Sequence, residues 1–277
     1  MADQLVQDLL EAGIHFGQKK SAWNPRMKPY IWGTRNRIHI IDIRQTIRGL
    51  LLAKKFVTQT VASGKSVVFV GTKRQARSSI ETHCGETGMP WVTERWLGGT
   101  LTNFRTIRER LKRLVELEGL VESGEIETYS KKMTSQLMRE KRKITRNLQG
   151  IRNMNKLPGA VIVIDTNRET NALREAATLR IPTIALIDTD GNPGDCDIPV
   201  PGNDDSMRSI DVIMRELAAA VRDGLTARTA EAEGADEADA SSSDDKPRKR
   251  SSRVAFAADA PAPAPEEVAA AAAEESN

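Results

Sequence analysis

Three short runs of aliphatic and β-branched residues limit what this chain can fold into. They are SVVFV at Ser66–Val70, AVIVI at Ala160–Ile164 and TIALI at Thr183–Ile187. Each run is too short for a helix and almost wholly apolar, which is typical of strands buried on both faces of a parallel sheet. Helical patterns lie between the runs, so the sequence predicts βαβ units with right-handed crossovers. We therefore expect an α/β fold, a three-layer sandwich with a mainly parallel sheet.

Weaker patterns predict the remaining elements of the sandwich. Arg37–Ile43 (RIHIIDI) alternates apolar residues as a fourth strand would, and a shorter fifth strand lies at either Trp91–Trp96 or Ile198–Val200. The predicted helices between and after the strands are Thr46–Ser63, Gln75–Thr87, Glu169–Leu179 and Ser206–Val221.

The alternation of strands and helices stops over residues 101–156. Apolar side chains recur every three or four residues over Phe104–Leu117, and at steps of four, seven, four and three over Met133–Ile151. This pattern predicts an antiparallel helical hairpin with a coiled-coil seam. Its second arm, Lys131–Lys156, holds nine basic residues and a single acid, Glu140. A helix face exposed only for solubility usually mixes charges of both signs. The arm therefore indicates contact with phosphates.

The charge of the chain is distributed unevenly. The 277 residues carry a net charge of +3, but residues 231–277 carry −7 and residues 1–230 carry +10. Such a basic excess favours a polyanionic partner, nucleic acid first, although basic surfaces also serve solubility alone. Thr226–Asn277 contains 17 alanines and almost no large apolar side chains, so we expect it to be a disordered tail.

Several classes of protein are excluded at this stage. No run approaches the roughly 18 apolar residues of a membrane span, and the N-terminus is acidic where a secretory signal is basic. Cys84 and Cys196 lie far apart with no metal-binding spacing around them, so neither a disulfide framework nor a zinc module is indicated. We expect a cytoplasmic protein with reduced thiols.

Three segments have the composition of phosphate or base contacts. Gln18–Arg37 interleaves basic and aromatic side chains without any acid, which suits stacking on bases together with phosphate contact; it could equally cover the edge of the core. The turns Gly71–Ala76 and Gly98–Asn103 each precede a predicted helix, whose free N–H groups attract a phosphate. For each turn, a plain strand-to-helix connection is an equally good interpretation.

Two kinds of enzyme compete with a nucleic-acid-binding protein. A nucleotide-dependent enzyme would need the spacing GxGxxG or GxxxxGK[ST], and neither occurs. A metal-dependent phosphoryl-transfer enzyme could use aspartates at strand ends, but the contexts of His15, His39 and His83 supply no evident base or nucleophile. The sequence therefore favours a protein without catalytic activity.

Acidic residues follow two of the predicted strands. Asp188 comes directly after a buried strand, and Asp204 and Asp205 follow a Pro-Gly turn that should fold back over the same edge. Three converging carboxylates would favour a bound structural divalent cation. Nearby Lys or Arg could neutralise them instead, and the aspartates could simply cap turns. We keep the cation as a hypothesis for this edge of the sheet.

Seven segments occur together in an order that identifies one family. They are Gly13–Gly17 (GIHFG), Trp23–Met27 (WNPRM), Ile38–Ile43 (IHIIDI), Val70–Ala76 (VGTKRQA), Arg95–Phe104 (RWLGGTLTNF), Val163–Asn167 (VIDTN) and Val200–Ser206 (VPGNDDS). From about Gln4 to Leu225 the chain closely resembles the family of the second protein of the bacterial small ribosomal subunit.

This resemblance implies a flavodoxin-like domain with a protruding coiled-coil hairpin and no catalytic residue. It also implies a structural component that binds small-subunit rRNA between head and body, lies among neighbouring small-subunit proteins and helps to dock the first, mRNA-binding, protein. No cofactor is required and no membrane is a partner. We expect the chain to act in the small ribosomal subunit in the cytoplasm.

These expectations define four parts of the chain and one set of candidate sites. The parts are residues 1–103 and 157–225 for the α/β domain, 104–156 for the hairpin and 226–277 for the tail. The candidate RNA contacts are Lys19, Lys20, Trp23, Arg26, Lys28, Arg35, Arg37, Lys73, Arg74, Arg95, Gly98, Gly99, Thr100, Asn103, Arg105, Arg108, Lys131, Lys132, Arg139, Lys141, Arg142, Lys143 and Arg146. The candidate cation ligands are Asp188, Asp204 and Asp205.

Overall fold

The computed structural model describes residues 2–242, which form seven α-helices and eight strands. The helices are α1 Ala2–Glu11, α2 Ile43–Ala62, α3 Arg74–Thr87, α4 Phe104–Glu122, α5 Lys131–Leu148, α6 Thr170–Thr178 and α7 Met207–Ser242. The strands are β1 Phe16–Lys19, β2 Ile31–Arg35, β3 Ile38–Ile41, β4 Val67–Val70, β5 Trp91–Val92, β6 Ala160–Ile164, β7 Thr183–Ile187 and β8 Ile198–Pro201.

Five strands form the central sheet in the order β5-β4-β6-β7-β8, and every pair in it is parallel. Taken by their sequence in the chain, these strands have the order 2-1-3-4-5, which is the flavodoxin-like arrangement. The three apolar runs supply β4, β6 and β7, and every residue of these strands is buried. Both segments weighed for the fifth strand are present, at the two edges of the sheet. The predicted fold class is confirmed.

Helices cover both faces of this sheet. Alternate strand residues such as Phe69 and Ile162 pack in one apolar cluster with α1, α2, α3 and α7. Their neighbours, such as Val68 and Val161, point to the opposite face and pack with α4, α5 and α6. The period-two alternation of a strand thus divides the core into two layers, as a three-layer sandwich requires.

The prediction that Arg37–Ile43 joins the parallel sheet is wrong. β3 pairs antiparallel with β1 and β2 in a separate three-stranded sheet, and α2 begins directly afterwards with Asp42 as its N-cap. The cause lies in the preceding turn. Asn36 and Arg37 both have positive φ angles, 52° and 63°, and two such residues form the tight turn that closes a β-hairpin. That hairpin commits β3 to pairing with β2.

The predicted helical hairpin consists of α4 and α5. Their buried faces carry leucines and isoleucines at helical spacing, among them Leu114 and Leu148, and both faces join the core cluster beneath the sheet. Arg113 on α4 also lies 3.8 Å from Glu140 on α5. The two predicted helices are confirmed. Coiled-coil packing of the pair and the boundaries of a hairpin domain at 104–156 stay predictions.

The last helix is longer than the sequence indicated. α7 begins at Met207, as expected, but it continues through Ser242, so residues 226–242 correct the predicted start of the disordered tail. Alanine and glutamate make up nine of these 17 residues, and both have high helix propensity even without packing partners. The chain divides into a compact unit, Met1–Ala235, and a second unit from Asp236. The rest of the predicted tail, 243–277, lies outside the described residues.

Candidate functional site

The sheet order reverses between β4 and β6, and the loops that follow these strands meet at this switch point. Flavodoxin-like proteins bind their ligands in the crevice beyond such a point. Here Lys73, which follows β4, extends into the crevice and is only 9% exposed. Its Nζ lies 2.7 Å from a carboxylate oxygen of Asp204, 2.6 Å from Asp205 and 3.6 Å from Asp165. The chain's own side chains therefore occupy the crevice.

The predicted cation ligands lie in the same place. One carboxylate oxygen from each of Asp188, Asp204 and Asp205 lies within 4.8 Å of the others. Asp188 and Asp204 are each 2% exposed, and Asp205 is exposed. The three oxygens have the chemistry that a hard divalent cation prefers, but the Lys73 ammonium already brings one positive charge to two of them.

Burial controls the protonation of this cluster. Burial raises the pKa of Asp188 to about 6, and the backbone N–H of Thr189 opposes part of that rise. The pKa of Asp204 is raised to about 7 by burial, although the hydrogen bond from Lys73 acts in the other direction. For Lys73 burial would lower the pKa, but hydrogen bonds to Asp204 and Asp205 outweigh it and raise the pKa. The cluster therefore contains carboxyls that titrate near neutral pH.

The N-terminal segment closes the crevice from outside. Gln18 donates from Nε2 to Asp188 at 3.1 Å and to Asp205 at 2.6 Å, and its backbone N–H donates to Thr189 Oγ1 at 2.9 Å. Gly17 leaves no room for a side chain here, because a Cβ would lie 2.6 Å from the Thr189 methyl group. A small-molecule substrate would have to displace this packed segment.

The turn predicted to bind a phosphate at Gly98–Asn103 already holds an anion from the chain. The Glu175 carboxylate accepts hydrogen bonds from the backbone N–H groups of Gly99, Leu101 and Thr102 at 2.8, 2.9 and 3.1 Å. Thr100 is buried and donates to a backbone carbonyl, and Asn103 is the N-cap residue of α4. These amides and the Thr100 hydroxyl are therefore satisfied within the chain, and phosphate binding at this turn stays a prediction.

The turn after β4 is filled in the same way. Glu169, 2% exposed, accepts at 3.0 Å from the backbone N–H of Thr72 and also from its hydroxyl. Burial raises the pKa of Glu169. Lys73 is enclosed by carboxylates, and its contact with phosphate stays a prediction, as does that of the glycine turns. Arg74, the next residue, is exposed and stays in the set.

The basic N-terminal stretch is mostly at the surface. Its six predicted basic contacts are all exposed; they are Lys19, Lys20, Arg26, Lys28, Arg35 and Arg37. Arg26 donates to Asn192 at 3.2 Å. Trp23 is half-buried with its ring 5.3 Å from the ring of His39, so it serves the edge of the core. Trp32, one of the aromatic residues interleaved with the basic ones in this stretch, is 76% exposed.

The second arm of the hairpin carries the largest group of basic side chains. Arg146 pairs with Glu94 at 2.6 Å, and Arg152 pairs with Glu118 at 2.7 Å. Between residues 2 and 242, the arm's other seven basic residues form no ion pair with a carboxylate. Six of them are exposed and Lys141 is half-buried; the seven are Lys131, Lys132, Arg139, Lys141, Arg142, Lys143 and Lys156.

Glu94 connects this arm to the rest of the fold. Its carboxylate accepts from Arg77 of α3 at 2.8 Å and from Arg146 of α5 at 2.8 and 2.6 Å. Beside it, Gly150 lies against the backbone oxygen of Trp91, where a Cβ would come within 2.2 Å. Arg146 thus forms an ion pair that holds α5 against the sheet edge, and its contact with phosphate stays a prediction.

The remaining predicted contacts lie around the base of the hairpin. Arg95 and Asn103 are exposed, Arg105 lies 3.4 Å from Glu109 in a surface pair, and Arg108 donates to the Asn155 carbonyl at 3.0 Å. Sequence reasoning missed a further group of exposed arginines near α6, namely Arg168, Arg174 and Arg180. They stand singly among apolar and acidic neighbours, so no run of charge marked them.

Comparison with known proteins identifies the family. Residues 9–224 match the family model described as ribosomal protein S2. The chain is 58% identical over 221 residues to a protein of Rhodopirellula baltica named small ribosomal subunit protein uS2. These 221 residues cover 80% of this chain and 85% of that protein. Two further proteins of the same name are each 49% identical. The one from Salinispora arenicola aligns with 86% of this chain and 85% of its own length. The one from Syntrophobacter fumaroxidans aligns with 85% of this chain and 86% of its own length.

The matched range covers both core clusters, the switch-point crevice and the basic hairpin. The relatives are named as ribosomal proteins, and their family is a structural one without enzymatic activity. No helix within residues 2–242 combines the length and the apolar composition needed to cross a bilayer. On the family match and the similarity over most of its length, the chain belongs to the ribosomal protein S2 family.

Proposed function

We propose that this chain is a structural component of the small ribosomal subunit, which binds small-subunit rRNA through exposed basic side chains and supports translation without catalysis. The observation that carries this proposal is the second arm of the hairpin. Seven of its nine basic residues have no ion-pair partner in the described part of the chain, whereas the buried Lys73 is neutralised by carboxylates. The phosphates of a folded RNA bind best to positive charges that no internal acid neutralises and that lie on a rigid, packed surface.

The filled crevice at the switch point also supports a function without catalysis. In a flavodoxin-like enzyme the crevice at the switch point has to stay open for its ligand. Here Lys73, the carboxylates around it and Gln18 occupy that space, and both predicted anion-binding turns hold internal glutamates. The fold therefore offers its surface to a partner rather than a pocket to a substrate.

The test is binding of small-subunit rRNA by the full chain and by a triple variant, Arg139→Gln, Arg142→Gln and Lys143→Gln. All three side chains are exposed, so the variant should fold normally. Each lost phosphate contact should lower the slope of log K against log salt by about 0.7 to 0.9. We expect weaker binding and a slope that is smaller by about 2.

A matched control makes the result specific. Arg44→Gln, Arg48→Gln and Lys55→Gln remove the same charge from exposed positions on α2. We expect this control to change the affinity much less. Equal losses in both triple variants would mean that net charge alone determines binding, and unchanged binding in both would contradict the proposal. Sedimentation of the tagged chain with small subunits in sucrose gradients then tests incorporation.

A second part of the proposal is that the chain helps to dock the subunit's first, mRNA-binding, protein. An exposed apolar patch on the N-terminal elements supports it: Leu10 is 44% exposed, Phe16 49% and Trp32 76%. A cavity of about 260 Å³ lined by Leu10, His15, Trp32 and Ile41 opens beside them. An exposed apolar patch of this kind is typical of a surface that another protein covers. RNA phosphates are charged and offer no apolar surface to pack against it.

The docking test measures binding of the purified first protein to two variants of the chain, one with a tryptophan replaced and one with a tyrosine replaced. Trp32→Ala should weaken the complex at least tenfold, because a large exposed aromatic ring is typical of an interface anchor. Tyr129→Ala is the control, since Tyr129 is 43% exposed but lies at the tip of the hairpin. Equal affinities for Trp32→Ala and the parent chain would remove this surface from the proposal.

A further inference from the structure

Glu175 is placed where it can control the direction in which the hairpin leaves the domain. It lies on α6, packed under the sheet, while the loop it contacts connects β5 to the first turn of α4. That loop is the only covalent connection from the sheet to the N-terminal end of the hairpin. Whatever fixes the loop backbone therefore fixes the start of α4.

Both oxygens of the Glu175 carboxylate are used by this loop. One accepts from the indole Nε1 of Trp96 at 3.0 Å and from the backbone N–H of Gly99 at 2.8 Å. The other accepts from the backbone N–H groups of Leu101 and Thr102 at 2.9 and 3.1 Å, and from the Thr102 hydroxyl at 3.2 Å. Five donors from four residues converge on one side chain that is 73 to 79 residues away in sequence.

Hydrogen bonds to a charged acceptor are the strong ones. Although burial acts in the opposite direction, the bonds from Trp96 and the loop backbone lower the pKa of Glu175, so the carboxylate stays ionised at neutral pH. Gly99 has a φ of 89°, which allows successive N–H groups to turn toward a single anion. The loop is thus shaped around the charge of Glu175.

We propose that Glu175 is a positioning residue for rRNA binding: its carboxylate sets the conformation of the loop before α4 and thereby pre-orients the basic side chains at the base of the hairpin. This inference rests on the proposed function. Arg95, Asn103 and Arg105 are exposed on or beside this loop. Glu175 itself contacts no RNA; it reduces the ordering that these side chains would otherwise undergo on binding.

Glu175→Gln tests the proposal with the least change in shape. The amide nitrogen cannot accept a hydrogen bond, so at least two of the five bonds are lost. We expect rRNA affinity about tenfold lower with an unchanged salt slope, because the number of phosphate contacts is the same. The control is Glu109→Gln on α4, which makes the same charge change at an exposed surface pair and should leave affinity equal or slightly higher.

A distance measurement separates positioning from loss of folding. Spin labels at Lys55→Cys on α2 and Lys112→Cys on α4, both exposed positions, with Cys196→Ser, report how α4 lies relative to the domain. We expect one narrow distance distribution in the parent and in Glu109→Gln, and a broadened one in Glu175→Gln. If Glu175→Gln does not fold, Thr102→Val removes one donor and should broaden the distribution less, in the same direction.

The outcomes distinguish the two proposals. A parent chain that binds no rRNA overturns the proposed function, while the label distances still decide whether Glu175 orients α4. A reduced salt slope in Glu175→Gln would mean that phosphate contacts themselves were lost and would overturn a pure positioning role. Unchanged distances together with unchanged affinity would overturn the inference entirely.

Discussion

Lysine side chains occur in two opposite environments in this protein. At the switch point, Lys73 is buried and three carboxylates surround its ammonium group. On α5, residues such as Lys132 and Lys143 extend into solvent, and within the described range no carboxylate pairs with them. The same residue type is structural in the first place and available to a partner in the second. The difference lies in whether the fold supplies an acid at that position.

This comparison teaches that a count of charges overstates the surface that can bind RNA. Lys73 and Arg146 both come from motifs that look like phosphate contacts, yet each is neutralised by an acid distant in sequence. Seven of the arm's nine basic residues have no ion-pair partner within residues 2–242. Glu140 is the only acid between Lys131 and Lys156. Charge that has no internal partner is the better indicator of an interface.

The largest expected effect comes from removing the buried lysine. Lys73→Met leaves the buried Asp204 and the half-buried Asp165 without their cation, which typically costs about 3 to 5 kcal/mol of unfolding free energy. Lys143→Met on the arm should change stability by less than about 0.5 kcal/mol. Urea denaturation of both variants measures the difference. Similar stabilities for the two variants would erase the distinction between these environments.

A smaller effect is expected within the arm itself. Arg142→Gln removes an exposed charge that has no ion-pair partner in residues 2–242, whereas Arg152→Gln removes one already paired with Glu118 at 2.7 Å. We expect Arg142→Gln to lower the salt slope of rRNA binding by about 0.7 to 0.9 and Arg152→Gln to lower it by less. Binding measured at several salt concentrations tests this ranking. An equal loss from both would mean that Arg152 exchanges Glu118 for a phosphate.

The buried carboxylates predict a dependence of stability on pH. The pKa of Asp188 in the folded protein, about 6, lies above its ordinary value, so the folded state binds a proton that the unfolded chain has released. Stability from this group therefore rises as the pH falls from about 7 toward 4, and it falls as the pH rises. We expect about 1 kcal/mol between pH 5 and 7.5.

Asp188→Asn should make that pH profile shallower, because it removes one of the two buried carboxyls with a pKa near neutral and leaves Asp204. Asp195→Asn, an exposed acid in a neighbouring turn, provides the control and should keep the profile of the parent. Thermal unfolding at closely spaced pH values is sufficient. A parent whose stability increases steadily from pH 5 to 7.5 would contradict the assignment.

The smallest expected effect concerns the structural divalent cation, which stays a proposal. Because Lys73 already lies against Asp204 and Asp205, we expect 1 mM Mg²⁺ or Zn²⁺ to raise the melting temperature of the parent by only about 1 °C. Lys73→Gln should bind the cation more tightly, and Asp188→Asn with Asp204→Asn should abolish binding. Calorimetric titration measures all three. Tight binding by the parent would show that lysine and cation share the site.

The sequence predicted the parallel sheet well, because each buried strand carries its signal locally. AVIVI at Ala160–Ile164 is apolar whichever neighbours it pairs with, and its boundaries agree with β6. β3 has an equally good local pattern, but a turn outside the strand decides its sheet. Asn36 and Arg37 adopt left-handed conformations that no apolar periodicity reveals.

The candidate site was less predictable because its decisive contacts span long sequence separations. Lys73 meets Asp204 across 131 residues, and Glu175 meets Gly99 across 76. A motif such as VGTKRQA gives the residue type and its place at a helix start, but not the acid that folds back onto it. The exposed charges of α5 were easier to predict, because a run of basic residues with a single acid among them leaves most of its side chains without a nearby partner.

The contacts of the N-terminal segment also determine when it can fold. Gln18, Gly17 and Ile14 pack against residues 188–203, which are synthesised about 170 to 190 residues later. At about 5 to 20 residues per second, roughly 10 to 40 s separate the synthesis of these two segments. The basic stretch from Gln18 to Arg37 therefore has no fixed place in the nascent chain for most of that time. A newly made molecule therefore holds this stretch in its folded position only after its last strand has joined the sheet.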